Sequence, residues 1–439
     1  MSRATTPPAG RQGTFTSLKV RNYRIYATGA LFSNVGTWLQ STAQAWLVLQ
    51  LTGSGAALGL TIALQLLPSL LLSPFAGVLA DRVAKRTLLR WLQLGMALPS
   101  ALLGVLAITG VVEVWHVYVL TTLFGSARAL EAPARQSFVA EMVGQDQLSN
   151  AVSLNSASFN SGRLVGPALA GVFIAALGSG VFATGWVILA NALSYGFVLL
   201  ALQLMDPTTL HPAPLTGDRR GAVRAGVRYV GSRPDLVLLF SCVFFMGSFG
   251  MNFAVTTALM ATEEFGKGAG EFGLLGSIMA IGSLAGALLA ARRPSPRLRF
   301  IVGAALVFSA VQLLSAVMPT YVTYAATLPL VGLAVLTAVT TANALIQMST
   351  APAMRGRVAS LYLMVFLGSV PLGAPVIGWL GEAFGARWAL VASGVGVGVG
   401  VTLSAIWFMR QDAAIRDALS RRRHRDRPAP APHEALDLA

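Results

Sequence analysis

Charge is scarce in this sequence, and its scarcity identifies the solvent. Only 11% of the 439 residues are Asp, Glu, Lys or Arg, where a soluble domain carries roughly a quarter, and mean hydropathy is +0.66. A chain so poor in charge and 55% hydrophobic belongs in lipid. Cysteine is scarcer still: the single Cys242 excludes an internal disulfide and, lying inside an apolar run, reads as packing. No metal-ligand spacing and no GxxxxGK[ST] phosphate loop is present. No cofactor, metal, ATP hydrolysis or enzymatic chemistry is therefore expected. The short alternating segments of a membrane β-barrel are missing as well.

What fills the chain instead is a series of about twelve apolar runs, each near the ~20 residues that cross ~30 Å of hydrocarbon as helix. They lie near 25–51, 56–79, 87–109, 115–134, 150–177, 183–204, 236–261, 272–291, 299–318, 321–346, 357–381 and 388–409. Pro68, Pro74, Pro99, Pro167, Pro329, Pro371 and Pro375 fall inside them, and a packed membrane bundle tolerates such residues. The expected fold class is all-α integral membrane with twelve transmembrane helices.

Basic residues gather on alternate connections. Arg82, Lys85 and Arg86, then Arg135, then Arg219, Arg220, Arg224, Arg228 and Arg233, then Arg292, Arg293, Arg297 and Arg299, then Arg355 and Arg357 share one side with the N-terminus. The other side receives Lys267 and Arg387 together with Glu113, Glu263, Glu264, Glu271 and Glu382. The positive-inside rule then puts both termini in the cytoplasm. The net charge of +15 follows from topology and from attraction to an anionic inner leaflet, and a nucleic-acid partner is not expected. Residues 1–24 read as a polar, basic cytoplasmic segment with no signal peptide after it.

The longest interruption, 205–235, divides six spans (25–204) from six (236–409). Within it Arg220, Arg224 and Arg228 recur every fourth residue and Val223, Val227 and Val230 line another face, the pattern of a short amphipathic helix at a membrane surface. Residues 410–439, Arg-rich and then Pro/Ala-rich, are expected to be disordered. Gly166, Gly171 and Gly178 recur as Gly373, Gly378 and Gly385, each 207 residues on, and Ser153-Leu154 recurs as Ser360-Leu361. One shared offset near half the chain length indicates a parallel six-helix repeat with a site between its halves.

Between the second and third spans stands Gly77-x-x-x-Asp81-Arg82-x-x-Lys85-Arg86. Too charged for lipid, it is read as a loop, and it resembles the loop signature of the major facilitator superfamily. The resemblance implies two pseudo-symmetric six-helix bundles, a monomer, and a conformational lock at Gly77, Asp81, Arg82, Lys85 and Arg86 that holds the outward-facing state. Carboxylates and guanidiniums suit such a role because they bond exposed helix ends. The corresponding Ala290-Ala291-Arg292-Arg293-Pro294 lacks the Asp. Gly162-x-x-x-Gly166-Pro167-x-x-x-Gly171 resembles the antiporter signature of exporters in this superfamily; small residues every fourth position let helices pack backbone to backbone. With Ala132-Pro133-Ala134-Arg135-Gln136, residues 18 to 410 resemble the subfamily of enterobactin-type siderophore and macrolide exporters.

Polar residues inside spans are the remaining candidates. Arg163, in the fifth span, costs roughly 2.5–3.5 kcal/mol in hydrocarbon and should face water, a partner or an anionic group. Asn34, Thr37, Ser41 and Gln44, with Gln40 beside them, form a stripe on the first span, and Gln65, Asn155, Asn252 and Asn343 lie near the midplane of others. Each serves as helix glue or cavity lining. Phe245 and Met246, within the Phe/Met-rich seventh span, offer adaptable apolar surface. For coupling, Arg128 and Glu131 near the end of the fourth span are the nearest titratable pair, although an i,i+3 ion pair explains them equally; proton antiport is implied by the resemblance alone. The reading is a secondary transporter of the cell inner membrane, exporting an amphipathic siderophore or drug by alternating access. Lipid or nutrient uptake, and a non-transporting sensor or scaffold on the same fold, are the alternatives.

Overall fold

The computed structural model describes residues 15–211, 222–292, 297–352 and 354–425, except for the side chains of 73–78, 80, 81, 145, 222, 223 and 412–425. These residues form helices and no strand. The spans are α1 (Arg21–Thr52), α2 (Gly55–Arg82), α3 (Lys85–Ile108), α4 (114–143), α5 (145–176) and α6 (Val181–Leu204), then α7 (Pro234–Glu264), α8 (Ala269–Ala291), α9 (Leu298–Ala316), α10 (Tyr321–Ser349), α11 (Arg355–Phe384) and α12 (Ala386–Arg425). Ten of the twelve are long and apolar enough to cross a membrane by length and composition. The other two, α1 and α4, carry the polar stripe of Asn34 to Gln44 and the ionisable Arg128, Glu131 and Arg135.

Several boundaries differ from expectation, each for a local reason. The charged stretch read as a loop is mostly helix: α2 continues through Arg82 and α3 begins at Lys85, leaving Val83 and Ala84 as the link. A helix satisfies its own backbone, so charges at its last turn do not end it. The fourth span does not stop at 134 but runs through Pro133 to 143, so Arg135 lies within a helix rather than on a connection. Only Gly144 separates α4 from α5; its φ of 70° is a conformation that glycine adopts without penalty. The segment from Arg410, expected to be disordered, continues α12 to Arg425, in keeping with the helix propensity of its Ala and Arg residues. Residues 426–439, together with Arg219, Arg220 and Arg293, lie outside the described residues.

Both 15–20 and 410–425 lie on one face of the bundle, here the terminal face, with 83–84, 144, 205–211, 222–233, 292, 297, 350–352 and 354. The two bundles meet along α2 with α11 and α5 with α8, and glycine makes the contact possible. A Cβ on Gly59 would stand 2.2 Å from the Ala374 carbonyl oxygen, and one on Gly273 would stand 2.3 Å from that of Pro167. Gly55 meets Gly378, and Gly171 meets Ala269 and Gly270. These are matched pairs: 167 and 374, like 171 and 378, differ by the 207-residue offset. Gly178 and Gly385 likewise both end a span at positive φ, 96° and 100°. The repeat written in the sequence is thus also a repeat of contacts. These approaches run from the face opposite the termini to mid-span, at Leu70 and Gly368.

Candidate functional site

Three local features build a cavity of about 180 Å³ between the halves. The first is the approach of α5 to α1: a Cβ on Gly162 would meet the Asn34 backbone at 2.8 Å, and one on Gly166 would meet Trp38 Cβ at 2.6 Å. This seats the Arg163 guanidinium 5.7 Å from the centre of the Trp38 ring, a cation–π distance. The second is a break in α7. A π-helical turn, Met246–Gly250, ends at Met251 and Asn252 before helix resumes at Phe253, and the break turns Met251 and Phe253 toward the cavity. Wide turns of this kind recur at functional sites. The third is α8, which brings Phe272, Gly276 and Met279 against Pro167. Ser41, Thr42 and Thr257 complete the polar lining.

Within the first bundle lies a smaller chamber, about 50 Å³, between α1, α3, α4 and α6. Its floor is α4: Arg135 Nε binds Glu131 Oε1 at 3.2 Å, and Glu131 is 7% exposed. The ion pair is therefore i,i+4 with Arg135, not the expected i,i+3 pair with Arg128. Arg128, Tyr26, Asn34, Thr37, Gln93 and Tyr195 line the same space. Trp38 lines both chambers. Its indole N–H and the Gln93 carbonyl oxygen are buried without a hydrogen-bond partner.

The remaining expected residues sort by position. Gln40 and Gln44 are spent inside the first bundle: Gln40 accepts from Asn191 at 2.5 Å and Gln44 donates to Thr121 at 2.7 Å. Asn34 donates to Ser158 at 2.9 Å across the α1/α5 contact. Gln65 backs onto Gly125, where α2 crosses α4. Phe245 packs on Gly400, and Met246 is 2% exposed in the apolar core. Asn252 donates to the Ser248 carbonyl at 2.6 Å, at the break in α7. Asn343, half-buried, accepts from Gln347 at 3.0 Å, and Asn155 is half-buried near the terminal face. Neither lines either chamber.

The residues of the charged turn point inward to their own bundle. Lys85 Nζ binds Glu141 Oε1 at 2.8 Å, both nearly buried. Arg86 donates to the carbonyls of Leu202, Gln203 and Met205, and Arg90 to that of Leu202. These are the unsatisfied last carbonyls of α6, where cations are favoured. Just beyond, Thr208 donates from its hydroxyl and amide to Asp206 and holds that carboxyl below the usual range. Arg82 is exposed in the last turn of α2; the side chains of Gly77 and Asp81 lie outside those described.

The sequence reading passed over two sets of residues. Trp38, Phe272 and Met279 were hidden because aromatic and methionine residues carry no polarity signal in an apolar helix, and Thr42 and Thr257 because a lone threonine bonds a carbonyl of its own helix. The second set, Ser149, Ser153, Ser156 and Asn160, descends α5 toward the terminal face, and the hydroxyls of Ser153 and Ser156 and the Asn160 amide each bond a carbonyl four residues back. The three serines are exposed. The set's spacing of three and four residues was legible. No cluster of three or more metal-ligating side chains occurs among the described residues.

The model of the transmembrane secretion effector family matches residues 12–434. The chain belongs to that family, within the major facilitator superfamily. A staphyloferrin A transporter of Staphylococcus aureus is 26% identical over 359 residues, 80% of this chain and 87% of that protein. The multidrug efflux pump Tap of Mycolicibacterium fortuitum is 30% identical over 220 residues, 47% of this chain and 51% of that protein. A crystal structure of the nucleoside transporter NupG superposes with a TM-score of 0.68 at 14% identity, covering 89% of this chain and 98% of that one. The chain is accordingly a multi-pass membrane transporter of the major facilitator fold, handles small molecules, and is not an enzyme.

Proposed function

We propose that the chain is an exporter that moves an amphipathic small molecule, of the siderophore or drug class, out of the cytoplasm by alternating access. The observation that carries the reading is the placement of the Trp38–Arg163 cavity between the two bundles. The Gly59/Ala374 and Gly273/Pro167 contacts hold the bundles together toward the opposite face, and the exposed serines of α5, on the side of the terminal face, are read as the approach to the cavity. With the terminal face cytoplasmic, as the arginine bias argues, this is the inward-open, loading state of a monomer in the cell inner membrane. The opposite state would close the terminal face, and the exposed end of α2 at Arg82, with Gly77 and Asp81, is assigned to that lock. The names of the relatives, a siderophore transporter and an efflux pump, suit export of such a cargo.

Coupling is assigned to protons at Glu131. It is the carboxylate of the polar chamber, and Trp38 stands between that chamber and the cargo cavity. Uptake of a fluorescent amphiphile into inverted vesicles, driven by an imposed acid interior, tests both claims. Accumulation that requires Arg163 supports export; net inward accumulation in whole cells would overturn it.

A further inference from the structure

The cargo cavity holds a positive charge that no side chain balances. Arg163 is the one ionisable residue among those lining it, and it makes no ion pair or hydrogen bond among the described residues. Its guanidinium lies 5.7 Å from the centre of the Trp38 ring. Thr42 and Thr257 donate their hydroxyl protons to the carbonyls of Trp38 and Phe253 in their own helices. The remaining wall is soft and apolar: Met251, Phe272 and Met279. An unpaired guanidinium faces an adaptable hydrophobic surface.

We infer that the exported molecule is an amphiphile carrying a carboxylate, which Arg163 binds while the apolar body lies against Met251, Phe272 and Met279. The inference rests on the export reading and adds the sign of the cargo's charge. A guanidinium stacked on an aromatic face keeps its edge free, and that edge matches a carboxylate two bonds at a time. A lipophilic cation would meet the opposite situation, a second positive charge beside Arg163 with no carboxylate in the lining to receive it. Glu131 does not supply one, since Arg135 holds it in the other chamber. Methionine and phenylalanine accept varied apolar shapes, so the selectivity here is of charge more than of outline.

The test is fluorescence titration of the full chain in zwitterionic nanodiscs with three matched probes: dansyl-aminoundecanoate, its primary amide, and a dansyl-alkylamine of equal length. The acid is expected to bind about tenfold more tightly than the amide, as hydrogen bonds to a charged partner do, and the amine most weakly. Arg163→Gln should bring the acid to the level of the amide and leave the amide unchanged, which also reports intact folding. Arg163→Lys should keep part of the preference because it keeps charge but loses the fork. Trp38→Phe should weaken acid and amide together. Equal binding of the three probes, tightest binding of the amine, or an acid preference that survives Arg163→Gln would overturn the inference. Acid preference with probe movement in the uptake direction would instead sink the export reading alone; export of all three probes with no preference would sink the charge assignment alone.

Discussion

Glu382, near the end of α11, accepts hydrogen bonds from the Ser54 hydroxyl and, at 3.1 Å, from the Ala56 amide at the start of α2. A carboxylate from the second bundle thereby caps a helix of the first, on the face where the bundles touch. Unmade amides at a helix start favour such an anion. The bond spans the contact that outward opening must break. Glu382→Gln keeps the shape and loses the charge, and because the site is exposed the loss is on the order of 1 kcal/mol. Spin labels at Thr109 and Val317, in a Cys242→Ala background, should show the population open on the opposite face rising roughly fivefold; an unchanged distance distribution would remove Glu382 from the gate.

The glycine contacts set a stricter limit. At Gly59 and Gly273 the neighbour is a backbone carbonyl at 2.2 and 2.3 Å from a Cβ position, which no rotamer change relieves. Gly59→Val and Gly273→Val should each fold but fail to close the opposite face. Transport is then expected to fall by about fivefold or more, the cost of even 1–3 kcal/mol of overpacking in the closed state. The same pair of labels reports it, with both variants shifted to longer distance. Near-normal transport in either variant would show that the contact is not required for closure.

Lys85 and Glu141 are bound to each other at 2.8 Å with 6% and 7% exposure. Removing one partner leaves a buried charge, a loss of about 3–5 kcal/mol. Lys85→Ala and Glu141→Ala should each lower the thermal midpoint in detergent by several degrees, and the double variant should lose clearly less than the sum. Additive losses would mean that the pair contributes through packing alone.

Glu131 gives the coupling prediction. Glu131→Gln retains volume and hydrogen bonding but cannot carry a titratable proton. Accumulation driven by a pH gradient should be lost while substrate exchange across vesicles without a gradient persists. Gradient-driven accumulation at the wild-type level would take the proton pathway elsewhere.

The outcome at individual residues shows where sequence reading succeeds in such a protein. A series of apolar helical spans and the repeat of Gly166, Gly171 and Gly178 in Gly373, Gly378 and Gly385 were legible, because hydrocarbon thickness and backbone contact each impose a spacing on the chain. Arg163 stood out for a related reason, since an arginine in lipid is costly wherever it points. Gln40 and Gln44 looked the same as Ser41 in sequence, one polar stripe on one helix. Which face of α1 met α5 and α6, and which met the cavity, depended on the neighbours, so Gln40 and Gln44 became helix contacts and Ser41 became lining.

The sequence by itself determined the all-helical membrane class and the spacing of its glycine repeat, both consequences of a backbone that must bond itself within a slab of fixed thickness. Tertiary structure decided the rest: that Glu131 pairs with Arg135, that Lys85 and Arg86 serve their own bundle, and that a break at Met251 and Asn252 opens α7 onto Arg163 and Trp38. Those depend on which faces of the helices meet, and in lipid, where every outward surface is equally apolar, close packing of small residues chooses the faces and hydrophobicity does not.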